Sequence, residues 1–153
     1  MTVEVRLCET IGVPPEAVWA AMEDIETHTD WMADAVAITF RTDQRAGVGT
    51  EFECLTRIGP FTTTDVMTVT EWRPGVVMGI EHRGVVTGIG RFTLHALAGG
   101  LTELCWDEQL DYPWWMGGAI GERASRPVFT HIWKANLQRL RAKAEAEAGA
   151  TGV

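Results

Sequence analysis

The sequence predicts an α+β domain in which one antiparallel sheet packs against one long terminal helix. Three observations predict it. From about residue 35 to 110 the chain falls into short alternating segments rich in Val, Thr, Ile and Phe, cut by Gly and Pro turns, the pattern of an antiparallel meander. After Pro113 the period changes: Val128, Ile132, Asn136 and Leu140 form one row at helical spacing, and Phe129, Trp133 and Leu137 form its neighbour. Ahead of the meander stand one alternating segment and two short helical ones.

Each element has its own signal. Val3, Val5 and Leu7 alternate with Glu4, Arg6 and Cys8, a strand with one buried face. Pro14-Pro15 then marks a helix start, since proline suits the first turn. Val18, Met22 and Ile25 follow at helical spacing, and Asp24 is placed to restart a second short helix reaching Trp31-Met32. Val36, Ile38 and Phe40 alternate, as do Phe52, Cys54, Thr56 and Ile58. Gly59-Pro60, Pro74-Gly75 and Ala98-Gly99-Gly100 separate the later strands. In the strand at 61–72 either face suits burial: Val66, Thr68, Thr70 and Trp72 oppose Asp65, Met67, Val69 and Glu71. The last helix is expected to begin near Pro127, with Ser125 as its cap, and residues 147–153 are expected to fray. The domain is thus 1–146, with 147–153 as a tail.

Composition narrows the function. The chain has 153 residues and a formal net charge of −8. Only Lys134 and Lys143 are lysines, and the arginines are scattered, so no basic stripe suits a nucleic acid. No apolar run reaches the ~18 residues of a membrane span, and the charged start "MTVEVRLCET" is unlike a signal peptide. Cys8, Cys54 and Cys105 are odd in number and lack metal-ligand spacing; they read as reduced thiols of a cytoplasmic protein, with a disulfide between two of them as the alternative. The four histidines are too dispersed for a zinc motif, and no G-x-S-x-G elbow or complete dinucleotide fingerprint is present. No metal or cofactor is expected.

The segments "PPEAVWAAMEDIETHTDWM", "VTEWRP", "GIGRFTL", "GLTELCWDEQL" and "IWKANLQRLRAKAE" resemble the START-like superfamily, also described as Bet v 1-like, SRPBCC, or polyketide cyclase/dehydrase and lipid transport. The resemblance covers roughly the whole chain. It implies a helix-grip fold: a seven-stranded antiparallel sheet wrapped around the C-terminal helix, with two short helices closing one end of a cavity. Members of that group bind lipids, sterols, hormones or aromatic polyketides, and only some are enzymes, so function rests on the site.

Strand alternation sets out the expected wall. Leu104, Trp106, Glu108 and Leu110 share a face, as do Gly88, Gly90, Phe92 and Leu94, and Val76, Met78, Ile80 and His82. Two inward glycines leave a hollow. Glu108, a carboxyl group between Trp106 and Leu110, suits a general acid or base, or a lone handle for a ligand hydroxyl; a one-residue slip would turn it to water. His82 is placed to pair with Glu108 or to meet a ligand carbonyl, or else to sit idle near a strand end. Tyr112, the sole tyrosine, is expected near the cavity mouth.

"PWWMGG" (113–118) sets large apolar side chains beside glycines. It reads as a lid, with Trp115 and Met116 touching the ligand, as a plug of plain core, or as a partner patch that makes a homodimer. The functional expectation is binding of a small hydrophobic, aromatic-, polyketide- or lipid-like molecule. The alternatives are a cyclase or dehydratase using Glu108 or His82, and a non-catalytic accessory subunit with its partner surface at Trp114-Trp115.

Overall fold

The computed structural model describes residues 2–116 and 118–151, with only the backbone at 116, 118–123 and 151. Strand β1 (Thr2–Ile11) leads into helix α1 (Pro15–Met22), a 3-10 turn at Ile25–Thr27 and helix α2 (His28–Trp31). Asp24 caps that turn by accepting from the Glu26 amide. Six strands follow: β2 (Ala35–Phe40), β3 (Glu51–Ile58), β4 (Phe61–Arg73), β5 (Val77–Arg83), β6 (Thr87–Leu97) and β7 (Leu101–Asp111). A 3-10 turn at Trp114–Met116 precedes helix α3 (Gly118–Thr151).

All seven strands form one sheet in the order β1-β7-β6-β5-β4-β3-β2, and every neighbouring pair is antiparallel. The sheet wraps α3, which packs against β1 and α1. This is the expected α+β helix-grip architecture. Val3 and Val5 of β1, Val18 and Met22 of α1, and Leu137, Leu140 and Ala144 of α3 are buried in the core. Lys143 of α3 donates to the Ala21 carbonyl at 2.7 Å, satisfying one of the open carbonyls at the end of α1.

The ambiguous strand resolves by a bulge. Asp65 and Val69 of β4 are buried on the inner face, with Met67 between them. The register then shifts between Val69 and Glu71, so Trp72 returns to the inside and meets Trp19 edge-on at 5.1 Å. An extra residue in one strand exchanges its two faces, so both halves of β4 bury their bulky side chains.

The C-terminal third departs from expectation. Pro127 lies inside α3, not at its start, and Ser125 is mid-helix, where its hydroxyl pairs with Tyr112 Oη at 2.8 Å. The helix also runs to Thr151, past the expected fraying point at 147. The ion pairs Arg141–Glu145 and Lys143–Glu147, four residues apart, support its last turns.

Cys8 and Cys105 are not the reduced thiols expected. They face each other in the β1–β7 register and form a disulfide. Glu103 brings a third donor atom within 4.8 Å, but both sulfurs are already spent on each other. Cys54 is a free, buried thiol. Among the described residues no helix is long and apolar enough to cross a membrane.

Candidate functional site

A cavity of about 500 Å3 lies between the inner face of the sheet and α3. Alternation places its wall. In the row β5–β6–β7, Ile80 faces Gly90 and Gly90 faces Glu108; one row on, Met78 faces Phe92 and Phe92 faces Trp106. From the helix come Phe129, Ile132 and Trp133. Phe61 and Val128, both exposed, stand at the rim.

The aromatic part is a continuous layer. The Phe92 and Trp106 ring centres lie 4.9 Å apart, Trp106 and Trp133 5.3 Å, and Trp133 and Phe129 5.0 Å, stacked. Trp31 backs them from α2, 5.9 Å from Phe92.

Against this layer sits one polar couple. Glu108 is 6% exposed. Its Oε2 accepts from Trp106 Nε1 at 2.7 Å and its Oε1 lies 2.7 Å from His82 Nε2. The two side chains meet across β6, and Gly90 makes room for them. A Cβ at position 90 would stand 2.4 Å from Glu108 Oε2. The hollow expected over the glycines is therefore filled, at Gly90, by a carboxylate. Burial is the largest influence on His82 and lowers its pKa. The hydrogen bond to Glu108, the charge of Glu108 and that of Asp65 together outweigh it, so the imidazole is raised above 6.5.

Other polar groups surround the rest of the wall. His28 is fully buried, and burial pulls it down to about 4. Its Nε2 lies 2.7 Å from the Met22 carbonyl. A carbonyl only accepts, so Nε2 carries the proton and Nδ1 of the neutral ring is an acceptor. Asp34 accepts from Asn136 Nδ2 at 2.7 Å and Trp133 Nε1 at 3.4 Å. Asp65 accepts from Thr63 Oγ1 at 2.9 Å and the Val86 amide at 3.4 Å. Cys54, between them on β3, is pushed up to about 11, first by burial and further by Asp34 and Asp65, against its contact with Thr56. Its thiol is held away from the reactive thiolate form.

Of the residues expected on the ligand, Ile80, His82, Gly90, Phe92, Trp106 and Glu108 line the cavity. Met78 and Leu104 point inward but are wholly buried in the packed core, and Gly88 also lies off the cavity. Trp115 is a correction. It is 61% exposed and Trp114 77%, and neither lines the cavity. The side chain of Met116 lies outside the described residues. Tyr112 reaches the cavity as expected. His28, Asp34 and the α3 residues were missed. Their signals are weak: a lone histidine in a short helix, an acid in a loop, and an apolar stripe that reads as core.

Residues 2–145 match the sequence profile of the family described as polyketide cyclase / dehydrase and lipid transport. No curated protein matches the sequence. Among solved structures, the Zhui aromatase/cyclase of Streptomyces sp. R1128 superposes with a TM-score of 0.78 at 15% identity, covering 99% of each chain. A START superfamily protein of Mycobacterium smegmatis gives 0.76 at 11% identity, over 94% of this chain and 97% of that one. The di-domain ARO/CYC StfQ of the steffimycin biosynthetic pathway gives 0.78 at 12% identity, over 97% of this chain and 52% of that one. At such identities the likeness is one of fold, and it agrees with the strand order and the profile match. The chain therefore belongs to the polyketide cyclase/dehydrase and lipid transport family.

Proposed function

We propose that the protein binds a small, largely apolar molecule of aromatic size inside the cavity, with the His82–Glu108 couple as its polar handle. The observation that carries this reading is one polar pair, a buried Glu108 with a half-buried His82, set against a continuous aromatic wall in a cavity of about 500 Å3. That volume and lining suit a ligand of drug-like size, oriented by a few polar contacts. A neutral environment-sensitive dye such as N-phenyl-1-naphthylamine tests it. Saturable uptake of one dye per chain, displaced by aromatic polyketides or sterols, is the expected result.

A second reading is favoured by the direct contact of His82 with Glu108. A neighbouring carboxylate orients an imidazole and stabilises its charged form, as proton transfer beside a ligand carbonyl requires. The aromatase/cyclase named among the structural neighbours supports the same class of chemistry. Glu108→Gln separates the two readings. Lost turnover with retained affinity supports proton transfer; lost affinity alone supports a handle.

A further inference from the structure

The charge on the cavity wall bears on the ligand. Three carboxylates face the space: Asp34, Asp65 and Glu108. Among the described side chains, no lysine or arginine lines it. His82 offsets Glu108. Asp65 is 4% exposed, and neither it nor Asp34 has an ion pair among the described residues; both are held by neutral donors. Buried charges are ordinarily paired, because desolvation without a counter-charge is costly.

The fold makes specific room for one of these acids. A Cβ at Gly84 would stand 2.1 Å from Asp65 Oδ1. Asp65 also lies directly across from Cys54, another lining residue, so its charge acts on the cavity itself. The neutral His28 adds an acceptor, not a donor. Close by, Phe92, Trp106, Trp133 and Phe129 present adjoining rings, and ring faces attract cations.

Resting on the cavity-binding reading above, we infer that the ligand is an organic cation, an amine on an aromatic-sized apolar body, and that Asp34 and Asp65 select it against carboxylates of the same shape.

Three naphthalene probes of matched size test this: 1-naphthylmethylamine (cation), 1-naphthylmethanol (neutral) and 1-naphthoate (anion). Each is titrated into the wild-type protein by calorimetry at low and high salt. The expected order is cation, then neutral, then anion, with the cation at least about tenfold tighter than the anion, the least that opposite charges near two acids without a direct ion pair should produce. Asp65 is buried and Asp34 half-buried, so the preference should persist at high salt, whereas attraction to the acidic surface would be screened away. Asp65→Asn and Asp34→Asn should each narrow the ratio, and the pair together should bring it towards parity. Binding of the neutral probe with the anion equal to or tighter than the cation overturns the inference and leaves the cavity reading standing. A preference that vanishes with salt, or survives both substitutions unchanged, also overturns it. Failure of all three probes to bind overturns both readings. The wild-type comparison needs no variant to fold.

Discussion

His82 Nε2 lies 2.7 Å from Glu108 Oε1, reached across a strand that sets Gly88 opposite His82 and Gly90 opposite Glu108. The two residues belong to β5 and β7, so their contact exists only when β6 presents no side chain between them. Glu108 is what keeps the imidazole basic. Replacing it with Gln leaves burial, the largest influence, opposed chiefly by Asp65. The imidazole titration followed by NMR should then fall from above 6.5 in the wild type to below 6.5 in the variant. The stability linkage has a definite sign. A folded-state value above the unfolded one adds stability that is full below about pH 6.5 and lost as the pH rises through the folded value. Glu108→Gln should therefore narrow its stability deficit as the pH is raised. A deficit that grows with pH contradicts this.

His28 titrates in the opposite sense. Its folded value is about 4 against 6.5 unfolded, so the protein is most stable above pH 6.5 with respect to this group. Stability is lost as the pH falls from there towards 4, by roughly 3 kcal/mol in all. Urea unfolding across that range should show the loss. His28→Gln, which keeps a donor for the Met22 carbonyl, should flatten the acid limb.

The Cys8–Cys105 bond closes a sequence separation of 97 residues. On the chain-entropy account a loop of this length is worth about 4–5 kcal/mol. Cys8→Ser should lower the unfolding free energy by an amount of that order, and a reductant should bring the wild type to the same midpoint. A wild-type curve indifferent to reductant contradicts the pairing.

Trp114 and Trp115 are exposed, so replacing both with Ala should change stability by no more than about 0.5 kcal/mol and leave dye affinity intact. If they form the partner surface, sedimentation will show self-association in the wild type and its loss in the variant. A loss of dye binding would place them on the ligand after all.

The meander of strands, the inward rows of β6 and β7 and the burial of Glu108 are legible in the sequence, because a period of two in an antiparallel strand assigns each side chain to a face. What escapes is anything decided by an insertion or by distant packing. The bulge after Val69 exchanges faces within one strand, which no simple alternation shows. Pro127 reads as a boundary because proline disfavours helix interiors, yet the helix accommodates it. The helix continues to Thr151, past a polar, alanine- and glycine-containing end that reads as a tail. The cysteine pair is 97 residues apart in sequence and adjacent only once β1 joins β7. For the tryptophans the sequence leaves lid, plug and exposed patch open, because bulk argues for burial and only the path of the chain after β7 turns them outward.

The most direct test of the central claim is where a neutral apolar probe sits. NMR of the protein with saturating 1-naphthylmethanol should give one bound probe per chain, with contacts from its ring to Ile80, Phe92 and Trp106. No saturable binding, or contacts confined to Trp114 and Trp115 on the outer surface, would contradict a ligand-binding cavity.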